Sequence, residues 1–499
     1  MRRTSPNRTC FFCLYLIYFR KCHNRNVYGL LRPFRGLGRI EQGADQMDLR
    51  KSAYRRIVSL LDEGTFTETG ALITARTTDF NGGSPKEEGD GVITGYGLIE
   101  GKPVFVFSED SSVLGGAMGE MHGKKIVSIY EKASKTGIPV LGLIDSKGLR
   151  IREATDGLEA YGAIMKAKAE CSGLVPMIDL VFGRAGGCMA VVAGQSDFVL
   201  MEKEHGALFV DAPNTLTDGS YCDCEANAEE AMSRGDADFI GTEDEIVSFA
   251  RTLIGLLPQN AKDEAIRECS DDLNRLTGEL EGVTDVRAVV SSVADAGSVL
   301  ETRAGFGTDV CTAFLTLDGV TTGVIGTCGP AVSSDGLRKA ADFAEFLDAF
   351  GIPLLTLSNA DGFLRTKENE RTILRAAART ANAIAGADVP KVNVILGSTG
   401  GAPYLLMNAK GLGADLVYAV QGSSIRVMRP DAASKILGGD DLSALAGSFD
   451  ENQTCEAAAR RGVVDEIVSM SELRKKIVAA MEMLFTKRVS DSGKKHRAK

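Results

Sequence analysis

The chain has 499 residues, more than one core usually serves, so two or three domains are expected. Hydrophobic residues make up 44% and charged residues 25%, ordinary for a soluble globular protein, which excludes a wholly disordered chain. The net charge is −10, and an acidic body argues against nucleic acid as a partner, because binding phosphates needs a basic face.

Residues 1–46 form an atypical basic tail with nine Arg and Lys against Glu41 and Asp45. Its apolar stretch, residues 10–19, is too short to span a bilayer, and no small-residue cleavage site follows it. Met47 opens a helix-like run, Asp48-Leu49-Arg50-Lys51, and reads as an alternative start that leaves the tail an over-extended reading frame outside the mature protein. Of the eleven cysteines, Cys10, Cys13 and Cys22 lie in that tail; the others lack paired CxxC spacing. They read as reduced core residues of a cytoplasmic protein with no metal.

Paired strands are expected over 92–99 and 104–107, around a turn at Glu100-Gly101-Lys102. A helix over 120–136 ends at Gly137; a buried strand at 140–144, a helix at 155–172 and a strand at 177–182 follow. The pattern returns with strands at 312–316 and 322–325 around Asp318-Gly319. A helix over 336–350 ends at Gly351, and then come a strand at 354–357, a helix at 369–386 and a strand at 392–396. The turn residues keep step at one constant offset: Gly137, Pro139, Gly148, Pro176, Gly183, Gly186 and Gly187 recur as Gly351, Pro353, Gly362, Pro390, Gly397, Gly400 and Gly401. Glycine and proline have backbone demands that are hard to replace, so the chain follows the same path twice. A period this long marks a domain duplication, since solenoids and propellers repeat at roughly 20–50 residues. The alternation predicts an α/β fold with mostly parallel strands. Domains are expected at 47–257 and 291–488, with a linker at 258–290 and a polar tail at 489–499.

After the strand at 177–182 and its counterpart at 392–396 comes a double glycine, Gly183-Arg184-Ala185-Gly186-Gly187-Cys188 and Gly397-Ser398-Thr399-Gly400-Gly401-Ala402. Where a helix begins after such a turn, its unpaired N–H groups and its dipole favour a developing negative charge, which is what an oxyanion hole requires. Outside the termini the histidines are His122 and His205, which leaves a Ser-His-Asp hydrolase little choice of base. His122, beside Lys124 and Lys125, reads as a surface or capping residue.

Further along, the segments Leu114-Gly115-Gly116-Ala117-Met118-Gly119-Glu120-Met121-His122, Ile144-Asp145-Ser146-Lys147-Gly148-Leu149-Arg150-Ile151, Lys339-Ala340-Ala341-Asp342-Phe343, Asp361-Gly362-Phe363-Leu364 and Met407-Asn408-Ala409-Lys410-Gly411-Leu412-Gly413-Ala414-Asp415 stand in a specific order. In that order they resemble the carboxyltransferase components of biotin-dependent acyl-CoA carboxylases and of the related sodium-pumping decarboxylases, over roughly residues 50–485. The resemblance implies a tandem duplication of two crotonase-like domains and transfer of a carboxyl group between biotin and a short acyl-CoA, propionyl-CoA or methylmalonyl-CoA first. Such a reaction generates two oxyanions, one on the acyl-CoA thioester and one on biotin. The resemblance gives the first to Gly186, Gly187 and Cys188 and the second to Gly401 and Ala402. It places Gly115, Gly116 and Ala117 on the CoA side, and Gly400, Gly362 and Phe363 on the biotin side. Biotin would arrive on a separate biotin carboxyl carrier protein, with a biotin carboxylase or a membrane decarboxylase subunit as further partner and a homo-oligomer, a hexamer, as the assembly.

The chain departs from the family at Lys147-Gly148 and at Asp361-Gly362-Phe363, where Gly-Gly and Pro-Gly-Phe are usual. A register anchored on Met407-Asn408 would move the biotin-side donors to Ala402 and Pro403. Pro403 has no N–H, so Gly401 and Ala402 are preferred. A hydratase or hydrolase using Glu120 or Asp145, and a non-catalytic assembly subunit, are the alternatives.

Overall fold

The computed structural model describes residues 52–76, 88–211, 226–428 and 442–487, together with Ala433, Lys435 and Ile436. The basic tail and the run at Met47 lie outside the described residues, as does the polar tail at 489–499.

In the first half, Val92–Ile99 (β2) and Lys102–Glu109 (β3) pair antiparallel, and Thr67–Glu68 (β1) adds an edge. Glu100 and Gly101 between them have φ of 49° and 76°, the two positive values a type I′ hairpin requires. The chain then runs parallel through Val140–Ile144 (β4), Met177–Val181 (β5), Phe198–Glu202 (β7) and Phe239–Gly241 (β9). A short pair, Arg184–Gly186 (β6) with Ala207–Phe209 (β8), stands apart from this sheet. Every residue of β4, β5 and β7 is buried, as expected for a parallel sheet covered on both faces.

The covering helices are Ser52–Leu60 (α1), Glu120–Thr136 (α2), Ala154–Cys171 (α3), Cys188–Ala193 (α4), Ala228–Arg234 (α5) and Glu243–Leu256 (α6). Helix α2 stops at Gly137, whose φ of 70° lets its N–H reach Ala133 O at 2.8 Å.

The second half repeats the plan. Leu300–Thr302 (β10), Val310–Leu317 (β11), Val320–Thr327 (β12), Leu354–Ser358 (β14), Lys391–Ile395 (β16), Leu416–Val420 (β18) and Glu466–Val468 (β20) form its seven-stranded sheet in that order. Its hairpin turn, Asp318 and Gly319, again has two positive φ values, 53° and 74°. Two short parallel pairs flank it: Ala331–Val332 (β13) with Gly362–Phe363 (β15), and Ser398–Gly400 (β17) with Ser424–Arg426 (β19). Helices Val286–Val293 (α7), Ser334–Ala349 (α8), Lys367–Gly386 (α9), Gly401–Leu406 (α10), Leu442–Glu451 (α11), Cys455–Arg460 (α12) and Leu473–Leu484 (α13) follow in chain order. Helix α7 begins inside the stretch read as a linker, and its Val286, Val289, Val290 and Val293 pack into the second sheet's core.

The repeat reaches buried polar groups. Lys125 donates to Gly89 O and Val92 O at the start of β2; Lys339, its counterpart in the second copy, donates to Arg303 O, Phe306 O and Val310 O at 2.7–2.9 Å before and at the start of β11. Each lysine thus ties its helix to the chain entering the first hairpin. A Cβ on Gly183 would lie 2.2 Å from Asp145 Oδ1, and one on Gly397 would lie 2.5 Å from Asn359 Oδ1, again the same pairing. The halves meet through Phe198 against Phe314 and Phe346, and through Arg303, which donates to Asp238 at 2.8 Å.

Candidate active site

In the first half the loops that follow β3, β4, β5 and β7 are laced together at one end of the sheet. The turn after β3 carries Leu114, Gly115 and Gly116 at φ of 52°, 69° and 63°. Lys147 N–H donates to Gly115 O at 2.9 Å, and Ser146 Oγ to Gly116 O at 2.7 Å. A Cβ on Gly116 would lie 2.4 Å from Asp145 O, so only glycine permits this approach. Ser146 N–H in turn donates to Arg184 O at 2.8 Å, tying the same loop to the double-glycine turn. The segment 145–147 therefore joins Gly115 and Gly116, on the predicted CoA side next to Ala117, to Arg184, which opens the strand leading to Gly186, Gly187 and Cys188. Ala117 O accepts from the buried Arg150, which also pairs with Asp90 and Glu153.

Gly187 has φ 61° and ψ −125°, a region open to glycine alone, and turns the chain into α4. Its own N–H donates to Phe209 O at 2.9 Å. The groups at the helix start are then the N–H of Cys188 and Met189, the first two helical positions, where no acceptor exists one turn back. The Cys188 thiol is free and half-buried.

The second half is built alike. Gly400 N–H donates to Ala360 O at 2.9 Å, and Thr399 Oγ1 to the same oxygen at 3.1 Å. Gly401 turns the chain into α10 at φ 58°, matching the 61° of Gly187. The left-handed glycines therefore keep the offset of the other turn residues, which puts Ala402 opposite Cys188 and Pro403 opposite Met189. Ser398 Oγ donates to Asp361 Oδ1 at 2.6 Å, linking this turn to the loop that leads into Gly362 and Phe363 on β15. A Cβ on Gly362 would meet nothing within 4 Å, and on Gly401 nothing nearer than 3.9 Å, so there is room for a ligand beside both. Val191 on α4 and Leu405 on α10, equivalent positions in the two copies, are 44% and 49% exposed.

Several acidic and basic groups lie close to the first turn. Asp145 Oδ2 accepts from Arg56 at 3.1 Å and from Ser111 at 2.9 Å, while Arg56 lies 4.5 Å from the centre of the Phe182 ring. Glu120 pairs with Lys124 and Arg76. Both acids that a hydratase could use are thus held by cationic partners. His122 corrects an expectation: it is fully buried rather than a surface or capping residue. The helix face that carries Lys124 outward turns His122 inward, where its Nδ1 lies 3.1 Å from Asp90 O and its Nε2 3.5 Å from Oε1 of the equally buried Glu109. Burial, and next the Arg150 charge, push the His122 imidazole down to about 3. Burial also raises Glu109 well above the usual carboxylate range, with Asp145 and Asp179 adding to it. Glu109 was not singled out by the sequence, although a carboxylate shortly after the apolar run Val104–Phe107 is the available signal. Tyr161 on α3 is buried with its hydroxyl unpartnered, and burial raises its pKa above the usual tyrosine value.

Two sheets of one plan, each accompanied by a glycine-turned helix with open first-turn donors, define a tandem crotonase-like protein. The chain belongs to the carboxyl transferase family, whose domain model matches residues 48–498. It is 32% identical to the propionyl-CoA carboxylase beta chain of Roseobacter denitrificans, over 95% of this chain and 99% of that one. It is 34% identical to the methylmalonyl-CoA carboxyltransferase 12S subunit of Propionibacterium freudenreichii subsp. shermanii, over 92% and 96% of the two chains. Identity is also 34% to the methylmalonyl-CoA decarboxylase subunit alpha of Propionigenium modestum, over 92% and 95%. The transcarboxylase 12S crystal structure, a hexamer assembly with hydrolysed methylmalonyl-coenzyme A bound, superposes with a TM-score of 0.85 at 33% identity, covering 91% of this chain and 93% of that one.

Proposed function

We propose that this chain is the carboxyltransferase component that moves a carboxyl group between carrier-bound biotin and a short acyl-CoA, propionyl-CoA or methylmalonyl-CoA. The observation that carries the reading is the matched pair of left-handed glycines, Gly187 and Gly401, each opening a helix with free first-turn donors, in a chain of this family. The first half takes the thioester. Cys188 and Met189 N–H groups stabilise negative charge on its oxygen once the α-proton has left, while Gly115, Gly116 and Ala117 shape the CoA side. Gly187 contributes through its backbone conformation, since its N–H is held by Phe209.

The second half takes the biotin carbonyl at Gly401 and Ala402, beside Gly400, Gly362 and Phe363. Pro403 leaves Ala402 as the last donor of that first turn. Bound biotin would supply a ring nitrogen that holds the carboxyl group and, once that N–C bond has broken, could take up the α-proton, so this chain would need no side-chain base. The room beside Gly362 and Gly401 fits such a group. The exposed Val191 and Leu405 beside the two turns support a site completed between two subunits, the first half of one facing the second half of the other, in an assembly like the hexamer of the 12S relative. Partners in this reading are a biotin carboxyl carrier protein and either a biotin carboxylase or a membrane decarboxylase subunit.

Purified protein incubated with free biotin and a panel of malonyl-, methylmalonyl- and glutaconyl-CoA tests the proposal. The expected result is biotin-dependent loss of the carboxyl group, fastest with methylmalonyl-CoA. A neighbouring acyl chain one methylene different is expected to react only about 10–200-fold more slowly, because a methylene in such a pocket is worth roughly 1–3 kcal/mol. Binding of CoA with no exchange on any thioester would contradict it and favour a non-catalytic assembly subunit.

A further inference from the structure

Glu109 closes β3 and has no exposure to solvent, and its two oxygens face different partners. Oε2 accepts the Asp145 N–H at 3.1 Å, and Oε1 faces His122 Nε2 at 3.5 Å, with neither of those two atoms having another partner. His122 Nδ1 points at Asp90 O, a carbonyl that can only accept, so in the neutral imidazole that burial favours Nδ1 carries the proton and Nε2 is left as an acceptor. An acceptor facing a carboxyl oxygen is satisfied only if that oxygen bears a proton.

We propose that Glu109 is a positioning residue that acts as a neutral acid, donating its proton to His122 while accepting the Asp145 N–H, and so sets the loop that joins the CoA-side turn to the thioester-side glycine turn. This rests on the reading of the first half as the acyl-CoA side. The surrounding groups agree with a neutral pair. The Asp145 and Asp179 charges disfavour a carboxylate at Glu109, opposed by the Asp145 N–H that favours one; Tyr161 on α3 also acts on Glu109, and Arg150 and Lys125 disfavour an imidazolium at His122. The consequence runs along the loop: Asp145 is followed by Ser146, which bonds both Gly116 O and Arg184 O, and by Lys147, which bonds Gly115 O. A carboxylate at Glu109 would confront an imidazole lone pair and push the loop off both turns.

The test uses Glu109→Gln, whose amide can donate to His122 and accept from Asp145, and Glu109→Leu, which can do neither. A buried acid that must stay protonated weakens folding as pH rises above the ordinary glutamate value, because the unfolded chain ionises and the folded one does not. The melting temperature of Glu109→Gln relative to wild type is therefore expected to rise between about pH 5 and pH 8. In kinetics, Glu109→Gln is expected within about threefold of wild type in kcat and in KM for acyl-CoA. Glu109→Leu is expected to raise KM for acyl-CoA about tenfold or more with KM for free biotin unchanged, a split that general destabilisation would not give. A melting difference flat with pH, or a Glu109→Gln enzyme below a tenth of the wild-type rate, overturns the proposal, and it does so even if Glu109→Leu fails to fold. The melting profile needs no substrate, so a wild-type protein inactive on every thioester would count against the function while the profile still decides the pairing.

Discussion

Replacing Cys188 by proline, or Ala402 by proline, is expected to lower carboxyl transfer by about 100- to 1,000-fold, because each removes one N–H from an oxyanion site. Loss of one such donor costs roughly 2.7–4 kcal/mol of transition-state stabilisation. Both residues lie in the first turn of a short helix, α4 or α10, where proline breaks no helical hydrogen bond. The fold is therefore expected to survive, which near-unchanged melting would verify. Cys188→Ala is the control. It keeps the N–H and removes only the thiol, so its rate is expected near that of wild type. Full activity in both proline variants would refute the donor assignment, and a large loss in Cys188→Ala would assign the work to the thiol instead.

The largest expected effect on stability is at Lys339. Its ammonium is buried and donates to three carbonyls, those of Arg303, Phe306 and Val310. Lys339→Met keeps the aliphatic stem and removes all three donors, and each orphaned buried acceptor costs roughly 1–3 kcal/mol. Part of that is offset because burial already pushes the lysine down to about 8, so the charged form is not free of cost. A net loss of about 3–5 kcal/mol is expected, toward the lower end of what three orphaned acceptors would cost. The equivalent Lys125→Met leaves two carbonyls, Gly89 O and Val92 O, and is expected to lose less. Urea unfolding of the purified protein reads both. An unshifted midpoint for Lys339→Met would show that the carbonyls find other partners.

How much of this was legible in the sequence depends on what kind of residue carries the information. The glycines and prolines in constant register announced the duplication, because the backbone conformation they permit is a local property. The parallel sheets and the paired turns followed from it. Element ends were less visible. The strand expected at 104–107 runs from Lys102 to Glu109, because the sheet is covered on both faces and buries the polar Ser108 and Glu109 that suggested a stop. The helix expected from 336 begins at Ser334, since Ser333 accepts the Gly336 N–H as its cap.

Within the site, the two turns could be named in advance, and the fold supplies the matching φ of Gly187 and Gly401 that aligns Ala402 with Cys188. The Glu109–His122 pair could not be read from the sequence. Its members stand on a strand and a helix, and only tertiary packing turns His122 away from the exposed Lys124 and onto a buried acid. Nor did the sequence show that Gly187 spends its N–H on Phe209, because that bond depends on the β6–β8 pairing.

The central claim is a division of labour, thioester in the first half and biotin in the second, with each site completed by two chains. Co-expressing the Cys188→Pro and Ala402→Pro chains tests it most directly. In a mixed dimer one site receives both defects and the other receives neither, so about a quarter of wild-type activity should return from two nearly inactive parents if pairing is random. Activity no higher than that of the parents, in oligomers shown to contain both chains, would contradict the account.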